Sequence, residues 1–175
     1  MKRSLVNASL LAAGLFSLST QAADIEVSVT NLTHGNHFTP LLIAAHTSDS
    51  HLFHVGEMAT PALQKMAEGG DIADLNTAVI GANGITSTNP AMGLLAAGAS
   101  INDVMLDTGD NTHLSIVAMV LPTNDAFIGL DSWKIPTEAG TYTVYVNAYD
   151  AGTEANDEII NGAAVTHGGS RRGAQ

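Results

Sequence analysis

Between His113 and Pro122 the chain reads Leu114-Ser115-Ile116-Val117-Ala118-Met119-Val120-Leu121, an almost continuous apolar run that proline then ends. At that length the run reads as a strand buried on both faces, with a buried helix as the alternative. The neighbouring segments are short. Ile25-Glu26-Val27-Ser28-Val29-Thr30 alternates apolar and polar with the period of a half-buried strand. Leu41 to Ala45, after Pro40, and Ala99 to Leu106 also carry strand signals. The clearest alternation runs from Thr141 to Tyr149, opening just after Gly140 and ending at Asp150, and it predicts a strand over that whole span.

One segment has a different period. Thr60 is placed to cap a helix, Pro61 suits its first position, and Leu63, Met66 and Ala67 share one face before Gly69-Gly70 stops it. A second, weaker helical pattern covers Ile72 to Val79. Gly81 to Gly98 is rich in Gly, Asn, Thr and Ser and reads as loops. Short strands, turn-rich connections and one minor helix predict an all-β antiparallel sandwich.

The N-terminus carries its own signature. Met1-Lys2-Arg3 precedes an apolar run from Leu5 to Leu18, interrupted only by Asn7, Ser9 and Ser17, and Ser19-Thr20-Gln21-Ala22 supplies small residues for cleavage before Ala23. Residues 1–22 therefore read as a signal peptide, the run being too short to cross a bilayer comfortably. The expected product is a secreted or periplasmic domain over residues 23–161, followed by a Gly-rich tail over 162–175 that is expected to be flexible.

Beyond residue 22 only Lys65, Lys134, Arg171 and Arg172 oppose seventeen Asp and Glu, a formal charge of −13. No basic patch precedes the last few residues, so neither nucleic acid nor an anionic membrane is an expected partner unless a cation bridges the surfaces. The absence of cysteine excludes disulfides, thiol catalysis and Cys-ligated metals. No nucleophile elbow, zinc-protease helix, phosphate loop or dinucleotide fingerprint is present, and the chain is not expected to be an enzyme.

Two groups of residues carry chemistry. Asp150-Ala151-Gly152-Thr153-Glu154 places two carboxylates across a Gly-containing turn after the last strand, and Asp125 sits in the loop after the buried run. If the two strands end at one edge, Asp125, Asp150 and Glu154 face one another. Carboxylates clustered without a basic partner repel unless a cation or proton intervenes, and calcium takes six to eight such oxygens. The alternative is a set of solvated turn residues. The second group is imidazole. His34 and His37, and His51 and His54, are each three residues apart with His46 between the pairs, a spacing that suits zinc or copper only in loops. Partly exposed structural histidines are the plainer reading. A lone Trp133 is expected to pack in the core.

Several ordered blocks resemble the N-terminal spondin domain family of F-spondin and mindin. Thr30-Asn31-Leu32-Thr33-His34-Gly35, Phe38-Thr39-Pro40, Ala45-His46 and Leu52-Phe53-His54-Val55-Gly56-Glu57 resemble its opening. Ala59 to Gly70 resembles its short helix, Pro122-Thr123-Asn124-Asp125-Ala126-Phe127-Ile128-Gly129 its Pro-Ser-x-Asp-Trp-Phe-x-Gly segment, and Asp150 to Glu154 its Asp-Ala-Gly-Thr-Asp signature. The resemblance implies a sandwich similar to C2 domains with calcium at one end, held at positions that correspond to Asp125, Asp150 and Glu154. Glu154 in place of Asp lengthens one ligand by a methylene and leaves Thr123 and backbone carbonyls as further candidates. Ala126 stands where an aromatic is usual, and the animal domains' disulfides and additional domains have no counterpart here. The expectation is a free-standing, bacterial-type, calcium-binding module for a protein, glycan or cell-surface ligand. The rivals are a hydrolase using the acidic edge and a zinc or copper binder built on His34, His37, His51 and His54.

Overall fold

The computed structural model of the protein describes residues 24–155. The expected signal peptide and the Gly-rich tail lie outside the described residues, as does the boundary at 161.

Among the described residues, eight strands and two helices follow in the order β1 (Asp24–Thr30), β2 (His37–Phe38), β3 (Leu42–His46), α1 (Pro61–Gly69), α2 (Ala73–Gly81), β4 (Ile85–Thr88), β5 (Ser100–Asp107), β6 (His113–Leu121), β7 (Ala126–Lys134) and β8 (Asn147–Asp150). The strands form two sheets. β1 and β5 pair antiparallel, and a larger antiparallel sheet runs β4-β3-β6-β7-β8 with β2 paired to β6. The all-β sandwich is therefore present.

β6 explains why it has further layers. Residues 114–120 are all buried, so both sheet faces need cover. On one face Ile116, Ala118 and Val120 join Leu41, Ile43 and Ala45 of the β3 region, and Val27 and Leu106 from β1 and β5 close over them. On the other, Val117 and Met119 join Leu42 and Ala44 beneath Leu63, Met66 and Ala67 of α1, Leu75 and Val79 of α2, and Leu52 and Phe53 of the loop after β3. The apolar run is thus the middle layer of three.

Helix α1 follows its sequence signals closely. Thr60 Oγ1 accepts the Leu63 N–H at 3.2 Å, Pro61 opens the helix, and Gly70 ends it in the left-handed region at φ 70°. A Cβ on Gly70 would sit 2.8 Å from Thr39, so packing also requires glycine. α2 is a full second helix where the single-helix reading allowed only a weak pattern; its N-cap Ile72 offers no side-chain bond, and Asp71 Oδ1 instead accepts the N–H of Ala73 at 2.9 Å.

Three sequence expectations need correction. The presumed loops of Gly81 to Gly98 contain β4, which pairs with β3 from Leu42↔Thr88 to Ala45↔Ile85. The strand expected over Thr141 to Tyr149 is restricted to β8; Thr141 to Val146 are exposed and belong to no strand. Alternation predicted a half-buried face there, but Tyr142, Val144, Tyr145 and Val146 remain at the surface. β7, by contrast, has no clear strand signal in the sequence. Its alternation is broken by Gly129 and by the polar pair Asp131-Ser132, and each break has a structural cause. Phe53 lies so close that a Cβ on Gly129 would be 2.6 Å from its Cζ. At Asp131-Ser132 two residues of β7 oppose Ser115 alone, a β-bulge between the pairs Leu114↔Trp133 and Ile116↔Leu130. Trp133 is half-buried against the core, its ring 6.4 Å from that of Tyr142.

Candidate metal centre

The turn between β6 and β7 begins at a cis Leu121–Pro122 bond, and the Thr123 hydroxyl, which donates to the Val120 carbonyl and accepts the Ala126 N–H, closes it. Antiparallel pairing of β7 with β8 sets Ala126 opposite Asp150, so the turn and the 150–155 loop leave the sheet at one edge. Asp125 joins them. Its residue is 3% exposed, and its Oδ2 accepts the backbone N–H groups of Thr153 at 2.8 Å and Glu154 at 3.0 Å, with the Thr153 hydroxyl at 3.3 Å. Its carbonyl accepts the Ala151 N–H at 3.2 Å. Asp150 Oδ1 accepts the N–H of Gly152, whose φ of 69° lets the chain turn back.

The loop therefore folds over Asp125 through these hydrogen bonds. Asp125 is buried, whereas Asp150 and Glu154 are exposed. The three carboxylates share a loop end, but their oxygens do not form a group lying mutually within 4.8 Å. Beside them is an orphaned polar atom: Asn124 Oδ1 is buried without a hydrogen-bond partner while its Nδ2 donates to the Ala155 carbonyl at 3.1 Å. A buried amide oxygen with an unused lone pair, on the loop end that carries these carboxylates, belongs to an all-oxygen donor set of the type hard cations prefer. These residues fit a calcium ion. Asn124 escaped sequence reasoning because asparagine in a turn is ordinary.

The histidines separate. His37 lies on β2 and His34 in the loop before it, both exposed. His46, 1% exposed, is fixed in the interior: its Nδ1 contacts the Thr47 carbonyl at 2.8 Å and its Nε2 the Ser115 Oγ at 2.7 Å. A carbonyl only accepts, so Nδ1 carries a proton; in the neutral ring Nε2 then accepts from Ser115, whose Oγ also lies 3.4 Å from Asp131 Oδ1. That polarity is the one a serine nucleophile needs, but Ser115 is fully buried, and its oxygen accepts the Ser132 N–H of the bulge at 2.8 Å. The pair joins β3, β6 and β7.

His51 and His54 meet a residue the sequence did not single out as a ligand. His51 Nδ1 is 2.6 Å from Asp131 Oδ2, and the two imidazole rings are 4.3 Å apart between centroids. Asp131 Oδ1 accepts the Leu52 N–H at 2.8 Å. Among the described residues this is the group of three whose ligand atoms all lie within 4.8 Å of one another. The bulge carried a faint signal, two polar residues interrupting an apolar strand, but nothing in sequence linked it to a loop eighty residues earlier.

Phe53 of that loop packs with Phe127 and Tyr149 at centroid distances of 5.1 Å to each, joining the loop to β7 and β8. No helix among the described residues is long and apolar enough to cross a membrane.

Comparison with known proteins settles the family. A sequence model of the spondin N-terminal domain, Spondin_N, matches residues 29–162, well over half of the chain. The chain belongs to the spondin N-terminal domain family. The match runs from within β1 past the Asp150–Glu154 loop, so both the sandwich and the acidic edge fall inside the spondin domain. A search of curated proteins returned no match.

Proposed function

We propose that this spondin domain is an exported, non-catalytic interaction module that binds calcium through Asp125, Asp150 and Glu154, with Asn124 Oδ1 as a further ligand. Family membership supports an extracellular interaction role. The observation that carries the calcium reading is the buried Asn124 oxygen left unpartnered next to Asp125, on the loop end that also carries Asp150 and Glu154. The ion would add positive charge to an acidic loop edge and lock the 150–155 loop onto the β6–β7 turn. That locked edge is the surface offered to a protein, glycan or cell-surface ligand.

The test is thermal unfolding of the purified protein in chelator and then in calcium or magnesium. Calcium at about 100 times its dissociation constant should add about 2.7 kcal/mol, which corresponds to roughly 5–11 °C in melting temperature for a domain of this size. Asp150→Asn should remove most of that increment, since Asp150 is exposed and its loss leaves the core intact. A calcium response unchanged in Asp150→Asn, or no response in the wild type, refutes the site.

A further inference from the structure

We propose that His51, His54 and Asp131 form a second metal site, separate from the acidic loop end and selective for a divalent ion of the zinc–copper class. The donors are two imidazoles and one carboxylate, a set that suits zinc and copper rather than calcium, which wants oxygens throughout. Their ligand atoms lie within 4.8 Å of one another. In a tetrahedral site with bonds of about 2.0 Å, neighbouring ligand atoms stand about 3.3 Å apart. The 2.6 Å contact between His51 and Asp131 would open by well under 1 Å as a metal ion replaces the shared proton. His54 would swing inward from an exposed position.

The surrounding structure holds these donors in place. Leu52 and Phe53, between the two histidines, are 5% and 6% exposed, so the loop is pinned to the sheet at its centre while both imidazoles project outward. Phe53 fits against Gly129, and the bulge beside Ser115 positions Asp131 under the loop. Asp131 uses Oδ1 to hold the Leu52 N–H and presents Oδ2 to His51. A purely structural role accounts for the His51–Asp131 contact. It does not account for a second exposed imidazole, tilted by 42° with its ring centroid 4.3 Å from that of His51. The cluster borders a groove lined also by Tyr145, Asn147 and Tyr149, so a fourth coordination position would face water or an incoming ligand.

Zinc titration of the purified protein in calcium-containing buffer, followed by calorimetry and by the visible absorption of the cobalt-substituted form, tests the proposal. One ion per chain is expected. His54→Ala, which alters only an exposed side chain, should weaken binding at least tenfold, and Asp131→Asn several-fold. The His34→Ala/His37→Ala double variant and Asp150→Asn should bind zinc as the wild type does. Retention of full zinc affinity in His51→Ala/His54→Ala, loss of binding in His167→Ala instead, or failure of the wild type to bind zinc saturably would each overturn the assignment. Circular dichroism on every variant separates loss of a ligand from loss of the fold, and His54→Gln provides a second exposed substitution with the same expected loss.

Discussion

Asp125 and Asp131 bracket one strand and do opposite things. Asp125 stands at the entry to β7 and Asp131 six residues later, about 20 Å along an extended chain. The first is buried, and its Oδ2 accepts two backbone N–H groups and a hydroxyl from the 153–154 segment. The second is half-buried, placed by a bulge, and divided between a backbone N–H and an imidazole. The same functional group thus becomes a loop anchor held by backbone N–H groups at one end and a partner to an imidazole at the other. What differs is the chain that arrives opposite it: a glycine turn rich in acids, or a loop bearing two histidines.

Removing each carboxylate should expose that difference most strongly. Asp125→Ala strands two part-buried N–H groups and should destabilise the protein by about 2–3 kcal/mol in chelator, measured by denaturant unfolding. Asp131→Ala, with one N–H and an exposed imidazole released, should cost about 1 kcal/mol. Equal losses would mean that the two ends are held alike.

Gly129→Ala sharpens the comparison from a distance. The added methyl meets the Phe53 ring and should cost about 1–3 kcal/mol by overpacking. It alters no ligand, yet by lifting the loop it should reduce zinc affinity while leaving the calcium response intact; parallel loss of both would show that the ends are mechanically coupled.

The smallest expected effect concerns pH. Burial holds the His113 pKa below its usual value, with His46, Lys134 and His51 adding repulsion. The unfolded chain then binds this proton more readily, so the contribution of His113 is complete above about pH 6.5 and is lost as pH falls through the lowered native value. His113→Gln should flatten that part of the stability profile, and an unchanged slope between pH 7 and 5 would show that other groups control it.

Much of this fold was legible because local patterns and tertiary needs coincide. The 114–121 run predicted two buried faces and has them; Thr60, Pro61, Leu63, Met66, Ala67 and Gly70 defined α1 as found. Legibility failed where a contact from elsewhere set the residue type. Gly129 looks like a strand breaker until Phe53 is seen against it, and Asp131 looks like a solvated charge until the bulge turns it toward His51. The acidic end could be read because its residues are close in sequence or lie just after recognisable strands. Asn124 and Asp131 could not, since neither an orphaned oxygen nor a bulge has a reliable sequence signature.

The segment from Thr141 to Val146 has one more consequence. It carries the strongest alternating pattern in the chain yet lies exposed outside the strands, next to a β8 only four residues long. Local preference and native arrangement are therefore in conflict there, a pocket of frustration in an otherwise consistent sequence. Such a segment has no cooperative unit to protect it, so its amide hydrogens should exchange with solvent in the time of local motion. Those of β6 should wait for the whole molecule to open.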